Sequence, residues 1–221
     1  MTMRTLFFLF CCLWGFAGLE AQNVQFRIGG GLATHYGHTE AVGAFKVGLG
    51  YEIEFDQHWT LTPAVSFYAK GWKDKNRLVN VFDNEGNQLF DEETGEPLRS
   101  VCTQSAAQNY IEVPLLLSYY WRTGPARYVV FSAGPYVAYG VGGKQKTKGN
   151  TELEGAQKLY YERQTFDIEG THRFDAGLQA MVGYQFASGL LLGVEADFGL
   201  ARFNRAGRRN LSGLLTLGYR L

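Results

Sequence analysis

Histidines are the residues in this sequence whose type and spacing first suggest chemistry. His35 and His38 lie three residues apart, and His172 lies much further along the chain. Imidazole nitrogens bind zinc and copper, so these side chains would form a metal site if the fold brought them together. Because no cysteine or carboxylate stands beside them at a ligand-like spacing, we predict no metal site and no cofactor.

A hydrolytic site is the second chemistry that the residue types suggest. It would need a nucleophile, a base and an orienting acid close together. Ser100 and Ser105 supply hydroxyls, His172 an imidazole, and Asp83 and Asp91 carboxylates. Their spacing specifies no arrangement, so we predict a non-enzymatic protein. A small enzyme acting on lipid or peptide remains an alternative.

The elements that must position these side chains are β-strands, because the dominant sequence period is two. In segment 45–55, for example, Phe45, Val47 and Leu49 share one face while Lys46 and Glu52 share the other. Strict alternation of this kind is typical of strands with two chemically distinct faces. Eight segments show it: 24–32, 45–55, 59–70, 110–121, 128–141, 175–186, 190–200 and 210–221.

The connections between these segments alternate in length. Short ones cover 56–58, 122–127 and 187–189, and long ones cover 34–44, 71–109, 142–174 and 201–209. Short turns alternating with long loops are typical of outer-membrane barrels, with the turns in the periplasm. We therefore predict an all-β fold, an eight-stranded antiparallel up-and-down transmembrane β-barrel with short periplasmic turns and long outer loops. Within the 71–109 loop, residues 79–98 predict a hairpin that turns at 83–87.

The volume of the lumen decides which face of each strand points inward. Eight strands enclose a lumen that side chains barely fill, so the bulky apolar faces would overfill it and are predicted to face outer-membrane lipid. Buried charges must be paired, and the inner faces carry both signs, including Lys70. The predicted lumen charge network comprises Arg27, Lys46, Glu52, Glu54, Glu112, Asp175, Glu195, Asp197 and Arg220.

Glu112 and Arg220 stand out among these inner charges. One interpretation makes the interior a narrow proton or ion path, and the favoured one makes it a salt-bridged plug. A wide pore is excluded, because such pores take roughly 16 or more strands. Aromatic residues gather near the short-turn end, where a periplasmic girdle is expected. The predicted girdle comprises Phe55, Trp59, Tyr119, Trp121, Tyr128, Tyr184, Phe186 and Tyr219.

The N-terminal segment is typical of an export signal. One basic residue, Arg4, precedes an apolar run over 6–16 and a small-residue stretch ending at Ala21. We predict a cleaved signal peptide over 1–21 and a barrel domain over 22–221, with an uncleaved anchor as the alternative. Twenty-one basic and 21 acidic residues balance, so no basic excess indicates nucleic acid. Cys102 is the one cysteine left after cleavage, so no internal disulfide is expected.

Five stretches of the sequence are familiar as a set: 61–71 (LTPAVSFYAKG), 110–117 (YIEVPLLL), 133–136 (AGPY), 174–177 (FDAG) and 217–221 (LGYRL). Together they resemble the PorT-like outer-membrane β-barrel family, a Bacteroidetes-type outer membrane protein beta-barrel domain. The resemblance spans nearly all of the predicted barrel domain. It implies the same barrel fold, and its namesake members imply a role in protein secretion.

The two longest loops are the predicted place of function. Loops 71–109 and 142–174 are longer than closure of the chain requires, and they mix charged with aromatic residues. Long loops on a rigid scaffold often carry binding. We therefore predict a barrel that displays them for binding or envelope interaction. A possible partner is an envelope or secretion-system protein, and the oligomeric state is left open.

Overall fold

The computed structural model describes residues 23–37, 40–83, 85–149 and 159–221, without the side chains of 76, 77 and 159–161. The predicted signal peptide and His38 lie outside the described residues. Within them, no helix has the length and apolar character that crossing a membrane requires. The strands are β1 Val24–His35, β2 Val42–Tyr51, β3 Ile53–Glu54, β4 Trp59–Asn80, β5 Arg99–Gly124, β6 Arg127–Gly142, β7 Lys144–Gly149, β8 Leu159–Gln164, β9 Phe174–Gln185, β10 Leu190–Gly199 and β11 Asn210–Arg220.

Eight of these strands form a closed antiparallel ring. Going round it, the order is β1, β2, β4, β5, β6, β9, β10 and β11, and β11 pairs with β1 again. The β4–β5 pairing joins the two halves of the ring. Closure leaves no unpaired edge, which is what a hydrocarbon environment requires. The predicted eight-stranded fold is confirmed.

Burial alternates along each ring strand as the sequence pattern predicts. In β5, Glu112 and Leu116 are buried, whereas Leu115 and Leu117 are exposed. The same holds in β11, where Leu215 is 68% exposed between two buried neighbours. The outward surface is thus a band of Leu, Val and Phe side chains. An apolar exterior around a polar interior is the arrangement of a barrel that spans a membrane.

The predicted long loops contain more strand than expected. β4 continues to Asn80 and β5 begins at Arg99, so much of the 71–109 loop is a continuation of the barrel hairpin. β7 pairs with the upper part of β5, and β8 pairs with β7. These segments lack an apolar period of two because their outward faces meet water above the hydrocarbon, while the residues buried on the inward side, such as Cys102, Ala106 and Thr147, are small. We call this four-stranded sheet the outer extension.

The tip of the first outer hairpin, residues 81–98, contains two tight turns rather than the one predicted. Bridges join Phe82 with Gln88 and Phe90 with Pro97. Asp91 accepts hydrogen bonds from the backbone N–H of Thr94 at 2.8 Å and from Glu93 at 3.0 Å. These bonds hold the pKa of Asp91 below its ordinary value, because they stabilise the ionised carboxylate.

Candidate functional site

Lys46 lies at the centre of the barrel lumen. Its ammonium is 2.6 Å from Glu112 Oε1, 2.7 Å from Glu195 Oε1 and 3.4 Å from Asp197 Oδ2. It also donates to Gln179 Oε1 at 3.3 Å. These side chains come from β2, β5, β9 and β10, so the ion pairs join strands across the lumen rather than along the sheet.

Lys70 forms the upper half of the same group. Its ammonium lies 2.8 Å from Asp175 Oδ2 and 4.0 Å from Glu112 Oε2. Asn210 donates to the same Asp175 oxygen at 2.8 Å. The ring of Tyr68 lies between the two lysines, 4.8 Å and 4.9 Å from their ammonium nitrogens, a favourable cation–π distance. We call Lys46, Lys70, Glu112, Asp175, Glu195 and Asp197 the lumen cluster.

The other predicted lumen charges lie nearer the turn end. Arg220 pairs with Glu52 at 3.1 Å and with Glu54. Glu54 lies in the two-residue strand β3 after a break in the ladder at Glu52 and is half exposed, so it stands at the solvent edge of this group rather than inside the lumen. Arg27 is half exposed and donates to Gln25 at 2.6 Å. Glu112 and Arg220, the two inner charges that stand out in the sequence, therefore belong to two separate groups.

Little space is left between these groups. Below the lumen cluster lies a cavity of about 30 Å³, lined by Lys46, Glu195 and hydroxyl-bearing residues such as Thr62 and Thr216. A water molecule needs about 10–15 Å³, so this cavity has room for two or three at most. A lumen crowded with side chains is expected for eight strands.

An aromatic layer covers the lumen cluster on the outer side. The 3₁₀ turn Thr165–Asp167 carries Phe166 inward, where its ring lies 5.4 Å from Tyr110 and 6.2 Å from Phe203. Gly140 makes this possible, because a Cβ atom there would lie 2.3 Å from the Phe166 ring. We call His35, Trp72, Tyr110, Phe166 and Phe203 the aromatic cap.

The sequence predicted that His35 lies in an outer loop. The structure places it in the aromatic cap instead. It is the last residue of β1 and is buried, with Nε2 3.1 Å from Asn210 Oδ1 and 3.3 Å from Gln108 Nε2. His172 is exposed, and its backbone N–H donates to Phe203. No cluster of three metal-binding side chains occurs among the described residues.

The residues considered for hydrolysis lie in different surroundings. Ser100 and Ser105 belong to β5 in the outer extension. Asp83 and Asp91 accept hydrogen bonds within their own turns at the hairpin tip. His172 follows the 3₁₀ turn beyond β8. Each carboxylate has a local structural role that accounts for its position.

The periplasmic aromatic girdle stays a prediction, and the structure gives the exposure of its predicted members. Tyr128 packs against the inner group of Tyr120, Val130, Met181 and Leu191, and its predicted place in the girdle is wrong. The sequence already shows this, since Tyr128 is out of phase with the outward residues of β6. The remaining predicted girdle residues are exposed or half-buried near the turn end: Phe55, Trp59, Tyr119, Trp121, Tyr184, Phe186 and Tyr219.

A large cavity opens above the aromatic cap. It measures about 970 Å³, and its floor includes His35, Trp72 and Phe203. Its walls come from the outer extension and from segments 168–171 and 203–208. Sequence reasoning missed this cavity, because its lining comes from segments far apart in the sequence that the fold alone brings together. We call it the outer cavity.

The family follows from a match that covers most of the chain. Residues 15–204 match the model of the family described as "Outer membrane protein beta-barrel domain". The chain belongs to this family. It is therefore a β-barrel protein of the outer membrane, as its fold indicates. The finer PorT-like resemblance stays a prediction.

This outer-membrane β-barrel protein is similar to two solved structures, among others. Neisserial surface protein A is 12% identical, with a TM-score of 0.44, over 92% of this chain and 99% of that chain. Ail, the attachment invasion locus protein of Yersinia pestis, solved with the heparin analogue sucrose octasulfate, is 11% identical, with a TM-score of 0.39, over 90% of this chain and 97% of that chain. No curated protein matches the chain.

Proposed function

We propose that this protein is a non-enzymatic binding protein of the outer membrane, which holds a ligand or partner on its outer hairpins above a closed barrel. The observation that carries the proposal is the outer extension. β4 and β5 continue to the pair Asn80–Arg99, well beyond the 9–11 residues that a strand needs to cross a bilayer. The part of this hairpin outside the membrane is rigid, because β5 is hydrogen-bonded there to β4 on one side and to β7 on the other.

The interior supports the same proposal. The lumen cluster and the aromatic cap occupy the space through which a solute would pass. We infer that the charged interior is a plug, which disfavours the narrow-channel alternative. The local roles of Asp83 and Asp91 disfavour an enzyme, because neither carboxylate is held for a reacting group.

The hairpin tip can be removed without disturbing the barrel, and this gives the test. Because Asn80 and Arg99 are register partners, an Asn-Gly turn can replace residues 81–98. A photoreactive amino acid at Val101, which is 53% exposed on the outer extension, reports neighbours in intact envelopes. The same probe at Leu215 reports the lipid face.

We expect a discrete crosslinked product from position 101 of the full chain and none from position 215. The product from position 101 should disappear when 81–98 is replaced. Equal products from the full and shortened chains, or products from the lipid face alone, would contradict the proposal.

A second candidate is an accessory subunit of a secretion or envelope-assembly complex. Two features of the first outer hairpin favour a protein partner. Leu78 and Val101 form an exposed apolar cross-strand pair, at 61% and 53% exposure. Residues 83–96 contain six carboxylates and no basic residue. Recovery of larger envelope proteins in near-equal amount with the barrel would support this candidate, and recovery of the barrel alone would count against it.

A further inference from the structure

We propose that the outer cavity binds a small organic anion rich in hydroxyl groups, such as a sugar acid or a sugar phosphate, with Arg163 as its charged contact. This inference rests on the proposed binding function and names the ligand class of the same outer surface. A volume of about 970 Å³ lies at the upper end of the range of roughly 300–1,000 Å³ for small-molecule sites.

The charges around the cavity favour an anion. Of the three arginines that line it, Arg205 lies 3.1 Å from Glu169, and Arg208 lies 3.9 Å from Asp74. Both acids of the lining are thus paired. Arg163 is exposed and forms no ion pair with any residue that the structure describes. The positive charge that is left over belongs to the guanidinium of Arg163. A guanidinium is planar and binds carboxylates and phosphates through two parallel hydrogen bonds.

One side of the cavity has the same sign. Segment 200–209 contains four arginines and no acidic residue. On β7, which pairs with the strand of Arg163, Lys144 and Lys146 are paired with Glu162. The excess positive charge beside the cavity therefore comes from segment 200–209, and it favours an anion on that side.

The uncharged lining favours hydroxyl groups over a purely apolar body. Gln145 and Asn204 place side-chain amides on the walls, beside the hydrogen-bonded pair Gln104 and Thr147. An apolar anion would displace water from the amide N–H groups of Gln145 and Asn204 without replacing its hydrogen bonds, which is unfavourable. A simple inorganic anion would satisfy Arg163 and leave most of the cavity to solvent. A sugar-sized anion matches both the charge and the amides.

The floor makes the cavity a binding site rather than an entrance. Trp72 and Phe203 are 7% and 3% exposed and lie on either side of His35, with ring centroids 5.7 Å and 5.0 Å from it. A ligand seated there meets the aromatic cap and does not reach the lumen cluster.

The test uses the full chain in phosphatidylcholine nanodiscs and equilibrium dialysis with labelled D-glucuronate, against D-glucose as the neutral match. We expect saturable glucuronate binding at least tenfold tighter than glucose binding. Arg163→Gln should weaken glucuronate binding about tenfold or more, the usual effect of losing a charged hydrogen bond. Arg99→Gln removes an exposed arginine of the outer surface that does not line the cavity, and should change binding less than twofold.

A second variant tests the place of binding without changing charge. Ala206 is exposed in the cavity lining, and Ala206→Trp should block the cavity and weaken glucuronate binding by at least tenfold. Equal binding of glucose and glucuronate, equal effects of the two arginine variants, or unchanged binding to Ala206→Trp would each overturn the inference. If glucuronate fails to bind while the Val101 crosslink persists, the ligand class is wrong and the proposed function stands.

The anionic sugar could be a free solute or the headgroup of a neighbouring glycolipid. Nanodiscs that also contain lipopolysaccharide distinguish the two. Loss of glucuronate binding in them indicates that the headgroup occupies the cavity, and unchanged binding indicates a free solute.

Discussion

Replacing Lys46 with methionine should strongly destabilise the barrel. The change keeps the length of the side chain and removes an ammonium that lies within 3.4 Å of three buried carboxylates. Lys70 would then be the one ammonium facing the four carboxyl groups of the lumen cluster. Removing one partner of a buried ion pair costs about 3–5 kcal/mol. With a urea m-value of about 2 kcal/mol/M, the unfolding midpoint should fall by about 1.5–2.5 M.

The assay is equilibrium urea unfolding in phospholipid vesicles, followed by tryptophan fluorescence. Lys75→Met is the matched control, because Lys75 pairs with Glu40 at 2.7 Å with both side chains about half exposed (50% and 46%). A surface pair contributes about 0–1 kcal/mol, so the control midpoint should move by at most about 0.5 M. The double variant Lys46→Met/Glu112→Gln should recover part of the loss, since one buried charge fewer is left unpaired.

Two results would refute this reasoning. One is a Lys46→Met midpoint that falls no further than that of Lys75→Met. The other is a double variant less stable than Lys46→Met alone. Either would mean that the lumen cluster does not hold the strands together.

Three further predictions concern the cap, the lipid face and the hairpin tip. Gly140→Val should lower the free energy of unfolding by about 1–3 kcal/mol, because it pushes the Phe166 ring out of the cap; an unchanged midpoint would contradict this packing. Leu215→Arg should lower the free energy of unfolding in bilayers by about 2–4 kcal/mol. Leu78→Arg, outside the hydrocarbon, should lower it by under about 1 kcal/mol. Equal effects would show that the lipid-facing band has been assigned to the wrong residues. The pKa of Asp91 is held below its ordinary value of 3.8. Its hydrogen bonds to the turn are therefore fully present above pH 3.8 and are lost as the pH falls through the lowered pKa. The protection of the Thr94 amide, its exchange rate compared with that of an unstructured peptide at the same pH, should fall there, and Asp91→Asn should abolish that dependence.

The ring of the barrel could be predicted from sequence, because each strand meets lipid on one side and a polar interior on the other. Glu112 and Leu115 in β5 show the rule, with one buried and the other exposed. The rule fails where its cause is absent. β7, with the sequence KQKTKG, exposes its lysines to water and buries the small residues Thr147 and Gly149 on its other face, so no apolar alternation marks it as a strand. For the same reason the sequence assigned the upper parts of β4 and β5 to a loop.

Errors in the candidate site have local causes. Glu54 lies two residues from Glu52 and keeps the inward phase, but it follows a break in the ladder at Glu52 and is half exposed, which alternation does not report. Tyr128 was assigned by its distance from the turn, although its phase points inward. The outer cavity depends on segments that are far apart in sequence, and neither periodicity nor spacing reports such contacts.

The most direct test of the account is single-channel recording in planar bilayers, with the number of inserted barrels counted by a fluorescent label. If the lumen cluster and the aromatic cap close the barrel, function lies on the outer hairpins. A closed barrel should give no conductance steps from the inserted full chain. Steady cation conductance that Glu112→Gln reduces would contradict it and would make the charged lumen an ion path.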